Sequence, residues 1–264
     1  MFMSVRVGFE QMKIKSIKTE KIIPKKLDTF AVLDKYLLEM PERSILAVTS
    51  KVVAICEGSV VRKDQIDKKK LAESEADFYL PERRNNYDYL LTIKNGILTP
   101  TAGIDESNGA GHYVLWPKDP QKSANAILDY LKKRFGHREI GVIITDSKTT
   151  PLRIGTTGVA LAHSGFAAHH DYIGEPDLFG VKMRATKSNL VDSLADAAVL
   201  VMGEGSEQTP LALIEDLPFI KWQSHHPSKK ELVKLQIDIA DDLYAELLQS
   251  VKWKRGRNNR PNLN

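Results

Sequence analysis

The sequence predicts a mixed α/β chain of the α+β class, and three observations predict it. Apolar, β-branched runs of strand length recur, as in SILAVT and EIGVIITDS. Segments with apolar residues at helical spacing stand between them. Strands and helices alternate without strict repetition, and no long repeat or Pro/Ser-rich linker separates two freely tethered units. The boundaries read as an N-terminal extension over residues 1–13, a domain over 14–250 and a basic tail over 251–264.

The elements follow in order. KIKSIKTEKI alternates polar and apolar residues as a half-buried strand does and closes at Pro24. LDTFAVLDKYLLEM sets Leu27, Phe30, Leu33 and Leu37 on one helical stripe, with Pro41 beyond it. SILAVTSKVVAICEGSVV is a buried-type strand, a polar T-S-K interruption and a second apolar stretch. The charged segment RKDQIDKKKLAESEADFYLPERRNN reads as surface helix and loop. YLLTIKNGIL reads as a hairpin turning at Asn95-Gly96, a dipeptide suited to tight two-residue turns. DPQKSANAILDYLKKRFG opens with an acid-proline pair and ends on Gly136, a helix start and stop. EIGVIITDS is a strand expected to end on Asp146 and Ser147. A long Gly/Thr/His-rich stretch, 149–180, precedes a helical LVDSLADAAVLVMGEG, and SKKELVKLQIDIADDLYAELLQ predicts a C-terminal amphipathic helix.

Composition excludes several classes. No apolar stretch reaches the roughly 18–20 residues that span a bilayer, and MFMSVRVGFEQMKIKS lacks a continuous apolar secretory core, so a cytoplasmic protein without membrane contact is expected. The single Cys56 lies in an apolar run and reads as packing. The formal charge is +4, but the last fourteen residues hold five Lys/Arg and no acid. The body is therefore near neutral, which argues against a nucleic-acid partner, and the tail reads as solvated and disordered.

The chemistry is carried by acids and hydroxyls in Gly-rich turns. There is no P-loop, no dinucleotide fingerprint and no G-x-S-x-G elbow. His163, His169 and His170 lack a metal-ligand spacing and read as surface or hydrogen-bonding residues. GIDESN, ITDS, MGEGSEQT and the T-S-K at 49–51 remain. Hard divalent cations take carboxylate and hydroxyl oxygens together with substrate phosphates, which makes Asp105, Asp146 and Glu204 candidate ligands. Gly103, Gly203 and Gly205 would let backbone amides approach a phosphate, and Lys51 would add a point charge. Each acid alone has a plain alternative as a cap or turn former.

The motifs also occur in a recognisable order: TSK-x5-EG, AGIDESN, ITDS-x3-P-x-R-x-G-x-T-x-V-A, DY-x-G-x2-D-x2-G and VMGEG. This order resembles the coenzyme F420-0:L-glutamate ligase family over about residues 14–217. The resemblance implies a fold of interleaved α+β parts that forms a homodimer. It implies joining of L-glutamate to a carboxylate acceptor with GTP (or ATP) as co-substrate and Mg²⁺ or Mn²⁺, through an acyl phosphate. By the same matching, Asp105, Asp146, Ser147 and Glu204 would be metal ligands. Ile23, Pro24, Lys25, Lys26, Ser50, Lys51 and Asn108 would contact the nucleotide, as would Met202, Gly203, Glu204, Gly205, Ser206, Glu207, Gln208 and Thr209. Arg153 would grip an acceptor or phosphate anion beside the catalytic Asp105 and Asp146. Departures fall on the acceptor side. Lys94 and Asn95 replace an Arg-His pair, Thr101 replaces an Asn, and the stretch after ITDS keeps Pro151, Arg153, Gly155 and Thr157 while losing an Arg, a Trp, a Gln and an Asp. An F420-0-like or a folate-like acceptor fits this pattern, and so does a nucleotide- and metal-binding regulatory protein of the same fold without ligase activity.

Overall fold

The computed structural model describes residues 12–24, 26–81 and 89–257. Its first half runs β1 (Lys13–Ile17), α1 (Thr29–Tyr36), β2 (Ile45–Thr49), α2 (Ser50–Glu57), β3 (Val60–Arg62), α3 (Lys68–Glu75), β4 (Phe78–Tyr79), β5 (Leu91–Lys94), β6 (Ile97–Pro100) and β7 (His112–Val114). The second half continues with α4 (Pro120–Phe135), β8 (Gly141–Thr149), β9 (Thr156–Ser164), β10 (His169–Asp171), β11 (Lys187–Asn189), α5 (Leu190–Met202), β12 (Leu211–Glu215), α6 (Lys229–Val233), α7 (Ala245–Gln249) and β13 (Lys254–Arg255). The fold is α+β, as its alternating pattern predicts.

The central sheet has the order β1-β12-β2-β8-β9, antiparallel except for the parallel pair β2–β8. Its middle strands are apolar throughout because both faces are covered. Leu46 and Val48 of β2, Val142 and Ile144 of β8, and Leu211 and Leu213 of β12 pack with α1 and α4. The alternate residues Ile45, Ala47, Ile143, Ala212 and Ile214 pack with Val191, Leu194, Ala195 and Ala198 of α5. The period-2 pleat thus sorts one strand between two helical layers.

Between the parallel neighbours β2 and β8 the chain builds a second unit around β4, β5 and β6, whose antiparallel sheet β13-β4-β5-β6 is completed by β13 from beyond β12, with α3 packed beside it through Leu71 and Ala72. The hairpin β5–β6 turns at Asn95 and Gly96, both with positive φ (53° and 74°), the backbone of a type I′ turn. α4 is capped as expected: Asp119 accepts from Lys122 N, Pro120 takes the first turn, and Gly136 ends the helix in the left-handed region.

Three expectations are corrected. β8 does not end at Ser147; it continues to Thr149, pairing Asp146 with Val159 and Ser147 with Gly158 of β9, after a register shift between Ile144 and Thr145. The C-terminal segment forms two five-residue helices, α6 and α7, with no buried residue in either. Asp242 accepts from Tyr244 N, a local turn that competes with helix, and Val233, Ile237 and Leu247 stay exposed, so packing does not favour one long helix. The basic tail is not wholly solvated: within its described residues, 251–257, Lys254–Arg255 pairs with β4 and Gly256 N donates to Asp77 O at 3.0 Å. Among the described residues no helix is long and apolar enough to cross a membrane.

Candidate active site

A cavity of about 900 Å³ opens where the two units meet. Its walls come from residues far apart in sequence: Thr49 and Lys51 at the β2–α2 junction, Gly103 to Asn108 after β6, Thr145 to Ser147 of β8, and the loop that follows α5. The β2–α2 junction places the first turn of an α-helix at the wall. Thr49 makes no side-chain cap there, so this end of α2 offers uncapped backbone N–H groups near the Lys51 ammonium. Positive-φ residues other than glycine gather in the same walls, at Thr101 (52°), Asn108 (55°), Ala110 (48°) and Gln208 (60°). A β-branched Thr in that region is strained backbone, and such strain concentrates at functional sites.

The acids are held in distinct ways. Lys51 Nζ forms an ion pair with Asp105 Oδ2, while Ser107 donates to Asp105 Oδ1 from both its backbone N and its hydroxyl at 2.8 Å. Burial alone would raise the Asp105 carboxyl, but the Lys51 charge and the Ser107 hydrogen bonds outweigh it and hold the group below the ordinary carboxylate range. Asp146 behaves in the opposite way. Burial pushes it up to about 6, and the Asp105 charge adds to the rise against the opposing hydrogen bonds from the Ser147 backbone and Trp116. Ser147 Oγ donates to Glu204 Oε1 at 2.5 Å, and Thr156 Oγ1 does so at 3.3 Å. The loop after α5 is pinned by Asn108 Nδ2 donating to Gly205 O (3.0 Å), Gly205 N to Glu207 Oε2 (2.8 Å) and Thr19 N to Gln208 O (2.8 Å).

Most predicted site residues therefore converge. Ile23, Lys51, Asp105, Asn108, Asp146, Ser147 and every residue from Met202 to Thr209 line the cavity. Ser50 is buried beneath the wall, and Pro24 and Lys26 continue the turn beyond Ile23 without lining it. Lys25 lies outside the described residues. Arg153 is not brought to the cavity: it stands on the exposed turn between β8 and β9, where its N donates to Thr150 O. His163, expected at the surface or in a hydrogen bond, is buried edge-on against Phe166, and burial lowers it to about 4. Sequence reasoning passed over residues 19–22, which line the cavity, and Trp116, whose indole donates to Asp146. Trp116 carries no sequence signal, because a tryptophan after an apolar strand reads as core.

Among the described residues no three His, Cys, Asp or Glu side chains form a ready metal cluster. The oxygens instead act on one another singly: Ser147 donates to Glu204, and the Asp105 charge helps raise Asp146.

Fold and site together define an α+β protein with a cavity whose mixed carboxylate, hydroxyl and ammonium walls suit a charged small molecule. The family model described as F420-0:Gamma-glutamyl ligase matches residues 16–216, and the chain belongs to that family. A relative from Methanopyrus kandleri, named Coenzyme F420:L-glutamate ligase, is 32% identical over 226 residues, covering 80% of this chain and 89% of its own. Relatives of the same name from Methanococcus maripaludis (34% over 202 residues, 71% and 80%) and Methanocaldococcus jannaschii (31% over 230 residues, 80% and 91%) are similar as well.

Proposed function

We propose that the chain is a nucleotide- and metal-dependent γ-glutamyl ligase that joins L-glutamate to a carboxylate acceptor, either F420-0-like or folate-like. One observation carries the reading: residues matched to nucleotide and metal roles, scattered from Ile23 to Thr209, line a single cavity. The charge of that cavity fits the metal. Glu20, Asp105, Glu106, Asp146, Glu204 and Glu207 face Lys21, Lys51 and Lys68, so a bare polyphosphate would meet a wall with excess negative charge. Divalent cations offset that excess, and all-oxygen donors are the set Mg²⁺ or Mn²⁺ prefers. Asp105, Asp146, Ser147 and Glu204 would hold the metal, which when bound neutralises charge on the transferring phosphoryl group.

The reaction this supports has two steps. The acceptor carboxylate oxygen takes the γ-phosphoryl group, releasing nucleoside diphosphate; the glutamate amine then attacks the acyl carbon, phosphate leaves, and the amine loses a proton. Lys51 and the first turn of α2 would hold phosphate oxygens. The loop from Met202 to Thr209, fixed by its own hydrogen bonds, shapes the nucleotide pocket. The exposed apolar residues Leu152, Ile154, Leu178 and Phe179 support a second copy of the chain as partner.

A second reading, a regulatory nucleotide-binding protein, is favoured by one fact: Arg153 and the altered Thr149, Thr150 and Leu152 beside it do not line the cavity. Mass spectrometry of products from glutamate, GTP or ATP, Mn²⁺ and each acceptor separates the two. A product heavier by one glutamyl residue, with stoichiometric phosphate release, is expected. Nucleotide hydrolysis indifferent to glutamate and to every acceptor would reject the ligase.

A further inference from the structure

Trp116 follows β7, is 3% exposed, and donates its indole N–H to Asp146 Oδ2. Its ring is fixed from two sides. Gly103, with φ of 68°, brings the Thr101–Gly103 turn so close that a Cβ at 103 would overlap the indole. The Lys94 ammonium lies 5.4 Å from the ring centroid, and Lys94, only 2% exposed, is paired with Glu75 at 2.9 Å. Glu75, Lys94, Trp116 and Asp146 thus form a continuous run from the second unit to β8 of the central sheet.

The two aspartates that line the cavity are therefore held by different donors. Asp105 has the Lys51 cation, which neutralises it. Asp146 has an indole N–H, which can only donate and carries no charge. Such a donor restricts the rotation of a carboxylate while leaving its negative charge for another partner, and outer partners of this kind orient metal-binding carboxylates.

We infer that Trp116 is a positioning residue for Asp146, holding its carboxylate in one orientation toward bound cation and nucleotide phosphates, with Gly103 and Lys94 fixing the indole. The inference rests on the metal-nucleotide reading above. Phenylalanine at 116 would keep most of the ring and lose the N–H.

The chain has three tryptophans, so its indole N–H signals can be told apart by NMR with the Trp222→Phe and Trp253→Phe variants. Adding Mg²⁺ with GTP should move the Trp116 signal and leave the other two nearly in place. Trp116→Phe should weaken Mn²⁺ binding, measured by calorimetry, about tenfold or more while melting near the wild-type temperature. If Trp116→Phe fails to fold, the Trp116 signal in the wild-type chain decides. Metal binding by wild type with an unmoved Trp116 signal, or with unchanged affinity in Trp116→Phe, would overturn the positioning role and leave the site reading standing. Wild type that binds no metal with either nucleotide would overturn both.

Discussion

Asp146 gives the residue scale its sharpest consequence. Its folded pKa, about 6, lies above the ordinary 3.8, so the folded chain keeps a proton that the unfolded chain has released. That proton's contribution to stability is present below the unfolded value and is lost as pH rises through about 6. At neutral pH the fold therefore carries an ionised, partly buried carboxylate at a cost. Asp146→Asn should remove that cost and melt at a higher temperature above pH 6, while metal-dependent nucleotide binding falls by about a hundredfold or more. A variant that binds metal and nucleotide like wild type in a calorimetric titration would remove Asp146 from the site. His163 shows the opposite sign. Its folded pKa of about 4 is depressed from 6.5 by burial, so stability is full above 6.5 and is lost as pH falls toward 4. The loss approaches roughly 3 kcal/mol at the acid end. Urea midpoints measured across that range should fall steeply for wild type and less for His163→Gln.

At the scale of elements, β9 shows how an edge is closed. Its outer N–H groups at Gly158 and Ala160 donate to Asp196 Oδ1 (2.6 Å) and Asp192 Oδ1 (3.0 Å) of α5, so the helix covers a strand edge that would otherwise be open to pairing. The approach is close enough that a Cβ at Gly158 would strike the α5 backbone at Ala195 and Asp196. Gly158→Ala should therefore cost about 1–3 kcal/mol, read as a lower denaturation midpoint with an unchanged slope. β9 is also where the sequence was hardest to read. The buried strands and α4 were legible because burial on two faces writes a continuous apolar run, and because Asp119, Pro120 and Gly136 punctuate the helix. The far end of β8, Lys148 and Thr149, and the start of β9, Thr156 and Thr157, are polar, largely exposed and without period, so their pairing depends on a partner that local pattern does not specify. In the site, acids and glycines in turns were legible by chemistry. Trp116 was not, because its role lies in one hydrogen bond across thirty residues and not in its type.

At the scale of the whole molecule, the cavity lies where the central sheet meets the unit inserted between β2 and β8, and the surface carries a separate feature. Leu152, Ile154, Leu178 and Phe179 are each more than nine-tenths exposed, and Val181 is 63% exposed. They sit in two connections, 150–155 and 172–186, whose backbones are nonetheless well defined: Asp177 accepts from Phe179 N and Val181 N at 2.9 Å, and Gly174 N donates to Met183 O at 2.9 Å. A single exposed leucine needs no explanation, but large apolar side chains on hydrogen-bonded turns present a fixed surface, and burying it removes apolar area from water at about 25 cal/mol per Å². A second copy of the chain is the partner proposed above for this surface. If these turns hold the dimer, replacing Leu178 and Phe179 together by serine should weaken association at least about tenfold without lowering the melting temperature of the monomer, because neither side chain packs in the core. Sedimentation velocity over a concentration series checks this: wild type should sediment as a dimer at micromolar concentration and the double variant should shift toward monomer. A wild-type chain that stays monomeric throughout, or a double variant that remains as dimeric as wild type, would take the interface away from these turns.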